Sequence, residues 1–213
     1  MKKIIIIVSS IFFTTGCSVF GVRNEESPKY EVLVKNNNME LRQYSPYIVA
    51  TTRTEGSFKE SQGTAFRILA GYIFGDNEKV VKIAMTALVV MNPQKSESEK
   101  IAMTAPVIQS PTGSGWEMSF TMPSKYNQLE DLPKPKDSRI QLKNMPAKLI
   151  AVIQYTGLWS EEKNQKMAAE LKTWITSLSK YDEINLPMFA GYDPPWTLPF
   201  LRRNETMIEV KIK

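Results

Sequence analysis

The sequence predicts an α+β domain: a pseudo-duplicated, distorted antiparallel β-barrel flanked by two helices. Three observations lead to this prediction. Short runs of alternating apolar and polar residues, typical of antiparallel strands with one buried face, fill most of the chain from Lys29 onward. Two longer segments carry apolar residues at helical spacing instead. Strands, a helix and a strand pair are followed by strands, a helix and strands, so the two halves share a similar order.

The first strands are marked by their turns. Tyr30, Val32 and Val34 alternate with positions that include the charged Lys29, Glu31 and Lys35, and the Asn36-Asn37-Asn38 turn leads into a partner strand from Met39 to Tyr44. After Pro46, the β-branched and aromatic run from Tyr47 to Thr54 predicts a third strand.

Two helices are predicted from apolar residues at three- and four-residue spacing. The first runs from Phe58 to Phe74 and ends at Gly75, a residue type that favours a helix C-terminus. The second follows Ser160, a favourable N-cap. Each helix has one apolar face that we expect to pack on the sheet: Ala65, Ile68, Leu69 and Tyr72 in the first, and Met167, Leu171, Trp174, Ile175 and Leu178 in the second.

A doubled octapeptide is the most distinctive feature of the sequence. Lys82 to Val89 reads KIAMTALV and returns as KIAMTAPV from Lys100 to Val107. In each copy the apolar residues alternate as on one strand face, so we expect two strands joined by the polar segment from Asn92 to Glu99.

Three further strands are predicted from period-two alternation. They run from Trp116 to Met122, from Leu149 to Tyr155 and from Ile208 to Ile212. A loop rich in proline and lysine, from Pro123 to Asp137, follows the first of them.

The first residues are typical of a targeting segment. Lys2 and Lys3 precede an apolar run that is too short for a stable membrane span, so residues 1–16 are interpreted as a signal peptide. The small residues that end in Gly16-Cys17 resemble the lipobox of bacterial lipoproteins, which implies lipidation of Cys17. Two alternatives stay open at this point: an ordinary signal peptide with an incidental cysteine, and a retained N-terminal anchor.

This interpretation divides the chain into a signal peptide, a lipidated tether over residues 17–28, and one domain over residues 29–213. We expect an exported protein that is anchored in a bacterial cell envelope. Ser18, in place of aspartate after Cys17, resembles sorting to the outer rather than the inner membrane. The lone cysteine excludes an internal disulfide.

Composition excludes several functions. Without Lys2 and Lys3 the chain has 25 basic and 22 acidic residues, a net charge of +3 that argues against nucleic acid as a partner. The absence of histidine excludes Ser-His and Cys-His dyads and histidine zinc sites. Neither a P-loop nor a GxGxxG motif occurs. Paired carboxylates and a lysine mechanism are neither excluded nor supported, so we expect a binding protein and not an enzyme.

One long motif identifies a family. The segment from Ala190 to Glu205, AGYDPPWTLPFLRRNE, resembles the SOUL haem-binding family, as do the doubled octapeptide and the Trp116 to Pro123 strand. Leu88 departs from the pattern, because the family more often has proline there, as the second copy has at Pro106. The resemblance covers nearly all of the chain from Lys29. It implies a barrel similar to the effector-binding domains of transcription regulators.

The resemblance also implies tetrapyrrole binding in a shallow apolar site between the first helix and the loop before the last strand. A porphyrin needs apolar walls and a few cations for its propionates, and arginine pairs well with carboxylates. The candidate haem-binding residues are Phe66, Arg67, Ala70, Ile73, Tyr192, Trp196, Phe200 and Arg202.

Other readings of these residues stay open. Trp196 and Phe200 also fit a role in packing their loop onto the core, and Arg202 and Arg203 also fit a role in fixing that loop through Asp193 or Glu205. Met85 and Met103 fit core packing better than iron ligation.

Without histidine, haem cannot have the usual proximal ligand. We therefore expect binding through the porphyrin face, with haem or metal-free porphyrin as the ligand and no metal-binding residues. A competing hypothesis is an interaction module that keeps the fold and binds another amphipathic ligand or a protein partner of unknown identity.

Overall fold

The computed structural model describes residues 23–80 and 97–213. The two α-helices are α1 (Phe58–Ile73) and α2 (Glu161–Ser177), and short 3₁₀ turns cover Leu129–Asp131 and Pro199–Leu201. The strands within these residues are β1 (Tyr30–Asn36), β2 (Met39–Tyr44), β3 (Tyr47–Glu55), β4 (Asn77–Glu78), β5 (Val107–Pro111), β6 (Gly115–Thr121), β7 (Lys134–Pro135), β8 (Gln141–Met145), β9 (Lys148–Tyr155), β10 (Tyr181–Glu183), β11 (Met188–Gly191) and β12 (Asn204–Ile212).

Most of these strands form one curled antiparallel sheet. Its order is β1-β2-β9-β12-β11-β5-β6-β3-β8, β10 pairs with β12, and β4 and β7 form a separate two-stranded ribbon. Two helices on a sheet that curls into a half-barrel confirm the predicted fold class.

The helix α1 covers the half of the sheet that contains β3 and β6. It begins in a capping box, in which the Ser57 side chain accepts from the Glu60 backbone N–H and the Glu60 carboxylate accepts from the Ser57 backbone N–H. Gly75 adopts a φ of 119° directly after the last turn, as a helix terminator does. The apolar face of α1 is buried against Met118 and Phe120 of β6.

The helix α2 covers the other half, over β9 and β12. Ser160 caps it as predicted, by accepting from the backbone N–H of Lys163. Its buried stripe packs on Ala151 and Ile153 of β9 and on Ile208 of β12. A third apolar cluster contains Ile108 of β5, Val152 of β9, Ala190 of β11 and Met207 of β12. On β9 and β12 its residues alternate with those under α2, so there it lies on the opposite face of the sheet.

The second copy of the octapeptide is not a strand over most of its length, so that part of the sequence prediction is wrong. The backbone N–H groups of Ile101 and Ala105 donate to the carbonyls of Ile73 and Glu26, and β5 begins only at Val107. Ile101 and Ala105 are buried, whereas Met103 is exposed. The first copy lies outside the described residues.

Several short strands were not predicted. β8, β10 and β11 lack the clear alternation that marked the longer strands, and β11 and β12 include the two ends of the Ala190 to Glu205 motif. The motif is therefore the tip of a hairpin: residues 192–203 connect two adjacent strands of the sheet.

The start of the described chain lies against the domain. Arg23 donates to the Asp193 carboxylate, and the Glu26 carboxylate accepts from the Ser124 backbone N–H. The described part of the proposed tether is thus held by the domain and does not extend away from it.

Candidate functional site

The loop of residues 192–203, hereafter the hairpin loop, is held in place by its own polar side chains. The Asp193 carboxylate accepts from the backbone N–H of Arg203 at 2.7 Å and from the Arg23 guanidinium at 2.8 Å. The same guanidinium donates to the Leu201 carbonyl at 2.7 Å. Arg202 donates to the carbonyls of Thr197 and Pro195. These contacts define the backbone path of a loop that has little regular structure.

A second segment, just before α2, fixes the far side of the hairpin loop. The Gly157 N–H donates to the Pro199 carbonyl at 2.9 Å, and the Gly157 carbonyl accepts from the Asn204 side chain at 3.0 Å. Gly157 adopts a φ of 112°, a conformation that few other residues tolerate. The indole of Trp159 covers Gly191 at the end of β11, 3.5 Å from where a Cβ would lie.

A buried charged cluster lies directly beneath the hairpin loop. The Glu205 carboxylate is fully buried and receives two hydrogen bonds from Arg42 of β2, at 2.9 and 3.0 Å. Arg203 donates to it at 2.6 Å, and the Tyr192 hydroxyl donates to it at 2.7 Å. The guanidinium of Arg203 also stacks on the Tyr192 ring, 4.1 Å from its centroid. Both ends of the hairpin loop are thereby joined to one carboxylate.

The protonation states of this cluster follow from its contacts. Burial opposes ionisation of Glu205, but the hydrogen bonds and charge of Arg42, with the charge of Arg203, hold its pKa below the usual carboxyl value. Burial raises the pKa of the Tyr192 hydroxyl well above its usual value, and the charge of Glu205 raises it further. Glu205 is therefore ionised and Tyr192 protonated near neutral pH, which lets the phenol donate.

The outer side of the hairpin loop is apolar and exposed. Trp196 and Phe200 expose 65% and 68% of their surface, and Leu158 of the neighbouring segment exposes 61%. Leu198 is also exposed. These four side chains, hereafter the loop patch, lie on backbone that Asp193, Arg202 and Gly157 hold in place. Exposed aromatic groups on such a backbone are typical of a binding surface.

The predicted site residues fall into three groups. Trp196 and Phe200 are exposed on the hairpin loop, and Arg202 lies partly buried at its base. On α1, Arg67 is exposed, Ala70 is half-buried, and Phe66 is exposed with one edge against Phe120. Haem contact stays a prediction for each of these residues.

Ile73 and Tyr192 form the third group, because both are buried. Ile73, the last residue of α1, lies in the core between that helix and the sheet. Tyr192 belongs to the third apolar cluster, with Ala190 and Met207. Neither side chain is exposed on the surface of the domain, and haem contact stays a prediction for both.

Sequence reasoning missed the role of Arg42 and did not place Glu205 at the centre of a cluster. Because β2 and β12 contain other charged residues, such as Glu40 and Lys211, no signal within either strand singled out Arg42 or Glu205. Their distance in sequence, 163 residues, hid the pairing.

A groove of about 590 Å³ lies elsewhere on the domain. Its lining comes from residues 26–29, 45–48, 121–124, 126–127 and 144–146, with Thr104, and includes Tyr47, Met122, Tyr126 and Met145. No predicted haem-binding residue is among its described lining residues. Its volume lies within the range of small-molecule sites, so it is a second place where a ligand could bind.

Two further observations concern the whole described chain. Across residues 23–80 and 97–213, acidic and cysteine side chains do not gather in a group of three that would suit a metal ion. Neither of the two helices described has the length and hydropathy of a membrane span.

Comparison with known proteins identifies relatives. A family model described as SOUL heme-binding protein matches residues 25–99 and 90–209. Heme-binding protein 1 of Xenopus laevis is 27% identical over 187 residues, which cover 87% of this chain and 90% of that protein. Heme-binding protein 2 of Mus musculus is 27% identical over 180 residues, covering 81% and 82%.

Solved structures share the fold at low identity. The EcmrR C-terminal domain superposes with a TM-score of 0.54 and 12% identity, covering 86% of this chain and 99% of that one. A structure described as a hydrolase from Listeria innocua gives a TM-score of 0.51 and 11% identity, covering 84% and 94%. At these identities the likeness concerns the fold alone.

Proposed function

The chain belongs to the SOUL heme-binding protein family, and from that premise we propose that it binds a tetrapyrrole on the loop patch without acting as an enzyme. The names of its relatives, Heme-binding protein 1 and Heme-binding protein 2, support a tetrapyrrole as the ligand. The proposal also includes attachment to the membrane of a bacterial cell envelope through Cys17.

One observation carries the choice of surface: Trp196 and Phe200 are exposed on a loop whose backbone is fixed from both ends. A porphyrin is a flat apolar disc, and fixed aromatic side chains offer it a partner face with little loss of conformational entropy. Burying one such side chain contributes about 1.5–3 kcal/mol. The exposed parts of Phe66 and Ala70 on α1 complete the proposed site.

Cations for the propionates are present on both elements of the proposed site, α1 and the hairpin loop. Arg67 of α1 is exposed, and the guanidinium of Arg202 has five N–H donors, of which loop carbonyls accept two. Arginine pairs with a carboxylate through two parallel hydrogen bonds, so one residue suffices for each propionate.

Whether the protein supplies a ligand to haem iron depends on which side chains it contains. The chain contains no histidine, so haem would lack its usual proximal ligand. Burial of the ring and pairing of the propionates would then provide most of the binding energy, and both are independent of the metal. Haem and metal-free protoporphyrin should therefore bind with similar affinity.

This prediction is tested by titrating the purified protein with haem and with protoporphyrin in parallel. We expect dissociation constants within about tenfold of each other, a difference of about 1.4 kcal/mol. Haem absorbance should show no six-coordinate low-spin iron. A large preference for haem together with such a spectrum would contradict the proposed mode, and a flat titration with both ligands would contradict the function.

A further inference from the structure

The hairpin loop lies close to the point where the described chain begins. Arg23 donates to the Asp193 carboxylate at 2.8 Å and to the Leu201 carbonyl at 2.7 Å, so this residue is bound to the base of the loop. Arg23 is the sixth residue after Cys17, so their Cα atoms are at most about 20 Å apart even if the chain between them is fully extended. A membrane that holds Cys17 would therefore lie close to the hairpin loop.

The residues before Cys17 favour attachment to a membrane. Ile4 to Val8 and Ile11 to Phe13 are apolar and follow Lys2 and Lys3. If this segment is retained as an anchor, or if Cys17 is lipidated, the N-terminal end of the chain is inserted in a bilayer. Arg23 then fixes which side of the domain faces that bilayer.

The loop patch has the side chains that favour contact with a bilayer. Trp196 and Phe200 expose most of their surface, and Leu158 belongs to the segment in which the Gly157 N–H donates to the Pro199 carbonyl. Tryptophan and other large apolar side chains are favoured at the level of the lipid headgroups, where the ring is half in apolar surroundings. All four side chains of the patch belong to the hairpin loop or to this neighbouring segment, so they are not scattered over the domain.

We propose that the loop patch docks on the lipid bilayer to which the chain is attached, and that Arg23 orients the domain for this contact. The proposal rests on the proposed attachment of the N-terminal segment to the membrane. It shares Trp196 and Phe200 with the proposed tetrapyrrole site, and it implies that an apolar tetrapyrrole reaches this site from the bilayer. Its test contains no tetrapyrrole, so the two proposals fail separately.

The test uses quenching of tryptophan emission by brominated lipid. The full chain is reconstituted in phosphatidylcholine vesicles with and without brominated acyl chains, and the same is done with Trp196→Phe. Trp174 of α2 is buried and Trp116 is partly covered beside Phe58, so the tryptophans nearest the docked lipid are Trp196 and Trp159, which follows Leu158. We expect brominated lipid to quench the emission of the wild-type chain clearly more than that of Trp196→Phe, and the difference between the two is the Trp196 contribution.

A matched control comes from Leu186, which is 64% exposed. Its loop is bonded to Glu209 through Ile184 and Asn185, about 17 Å along β12 from the end that adjoins the hairpin loop. Leu186→Trp in the Trp196→Phe background should add emission that brominated lipid does not quench, beyond the response of Trp196→Phe itself. Equal quenching at both positions, no quenching of Trp196, or failure of the chain to associate with vesicles would each overturn the proposal. Contact between two copies of the chain would also leave Trp196 unquenched.

Discussion

Glu205→Ala is expected to lower the free energy of unfolding by about 3–5 kcal/mol, the usual cost of removing one partner from a buried ion pair. The Glu205 carboxylate is fully buried and accepts from Arg42, Arg203 and Tyr192. Without it, Arg42 stays 2% exposed with the loss of its main counter-charge. The free-energy cost of leaving the Arg42 charge buried without a partner is larger than the net stabilisation that the lost hydrogen bonds had contributed.

Urea unfolding of the purified protein measures this effect. Glu117→Ala provides a control, because Glu117 also pairs with two cations, Arg53 and Lys143, but does so at the surface. Its removal should cost about 0–1 kcal/mol. Similar losses in both variants would contradict the account of the cluster.

The wild-type protein and Glu205→Ala should also differ in how their stability responds to acid. The pKa of Glu205 is lower in the folded protein than the value of about 4.3 expected in the unfolded chain. Its stabilising contribution is thus fully present above that value and is lost as the pH falls through the lower, folded value. The difference between wild type and Glu205→Ala should therefore decrease in strongly acidic solution.

The double variant Trp196→Ala, Phe200→Ala is expected to weaken protoporphyrin binding on the order of 10- to 100-fold, because a flat ligand covers one face of each ring and so gains about half of the energy of full burial. Both rings are exposed, so their removal takes away ligand contacts and leaves the core intact. The free energy of unfolding should change by about 0.5 kcal/mol or less for each position. Loss of affinity with unchanged stability separates a ligand-binding role from the alternative that these rings only pack the loop.

Fluorescence titration of protoporphyrin gives the affinities, and Leu186→Ala removes an equally exposed apolar side chain far from the loop. We expect Leu186→Ala to bind as the wild type does. If the double variant also binds with wild-type affinity, the tetrapyrrole does not use the loop patch.

Much of the fold could be predicted because its signals are local. Helix caps such as Ser160 and Gly75 act within one turn, and strand faces such as that of β6 repeat every second residue. The segment from Lys100 to Pro106 misled the prediction because alternation indicates an extended chain without showing that a neighbouring strand pairs with it. Here the partners of its N–H groups are Ile73 and Glu26.

The candidate site was predictable only in part. The motif from Ala190 to Glu205 located the hairpin loop, since a single uninterrupted segment forms it. Burial of Ile73 and Tyr192, and the pairing of Glu205 with Arg42, depend on how distant strands meet in the sheet. No pattern within one segment contains that information.

The central claim, that a tetrapyrrole binds on the loop patch, is tested most directly by locating the ligand. Metal-free protoporphyrin has a strong, short-range ring current, so a ¹⁵N–¹H correlation spectrum recorded during titration reports the residues beside it. The indole signal of Trp196 is assigned by its absence in Trp196→Phe. We predict that it and the backbone amides of the hairpin loop shift most, while the indole of the buried Trp174 stays in place. Shifts centred on Tyr126 and Met145 would instead place the ligand in the 590 Å³ groove and contradict the account.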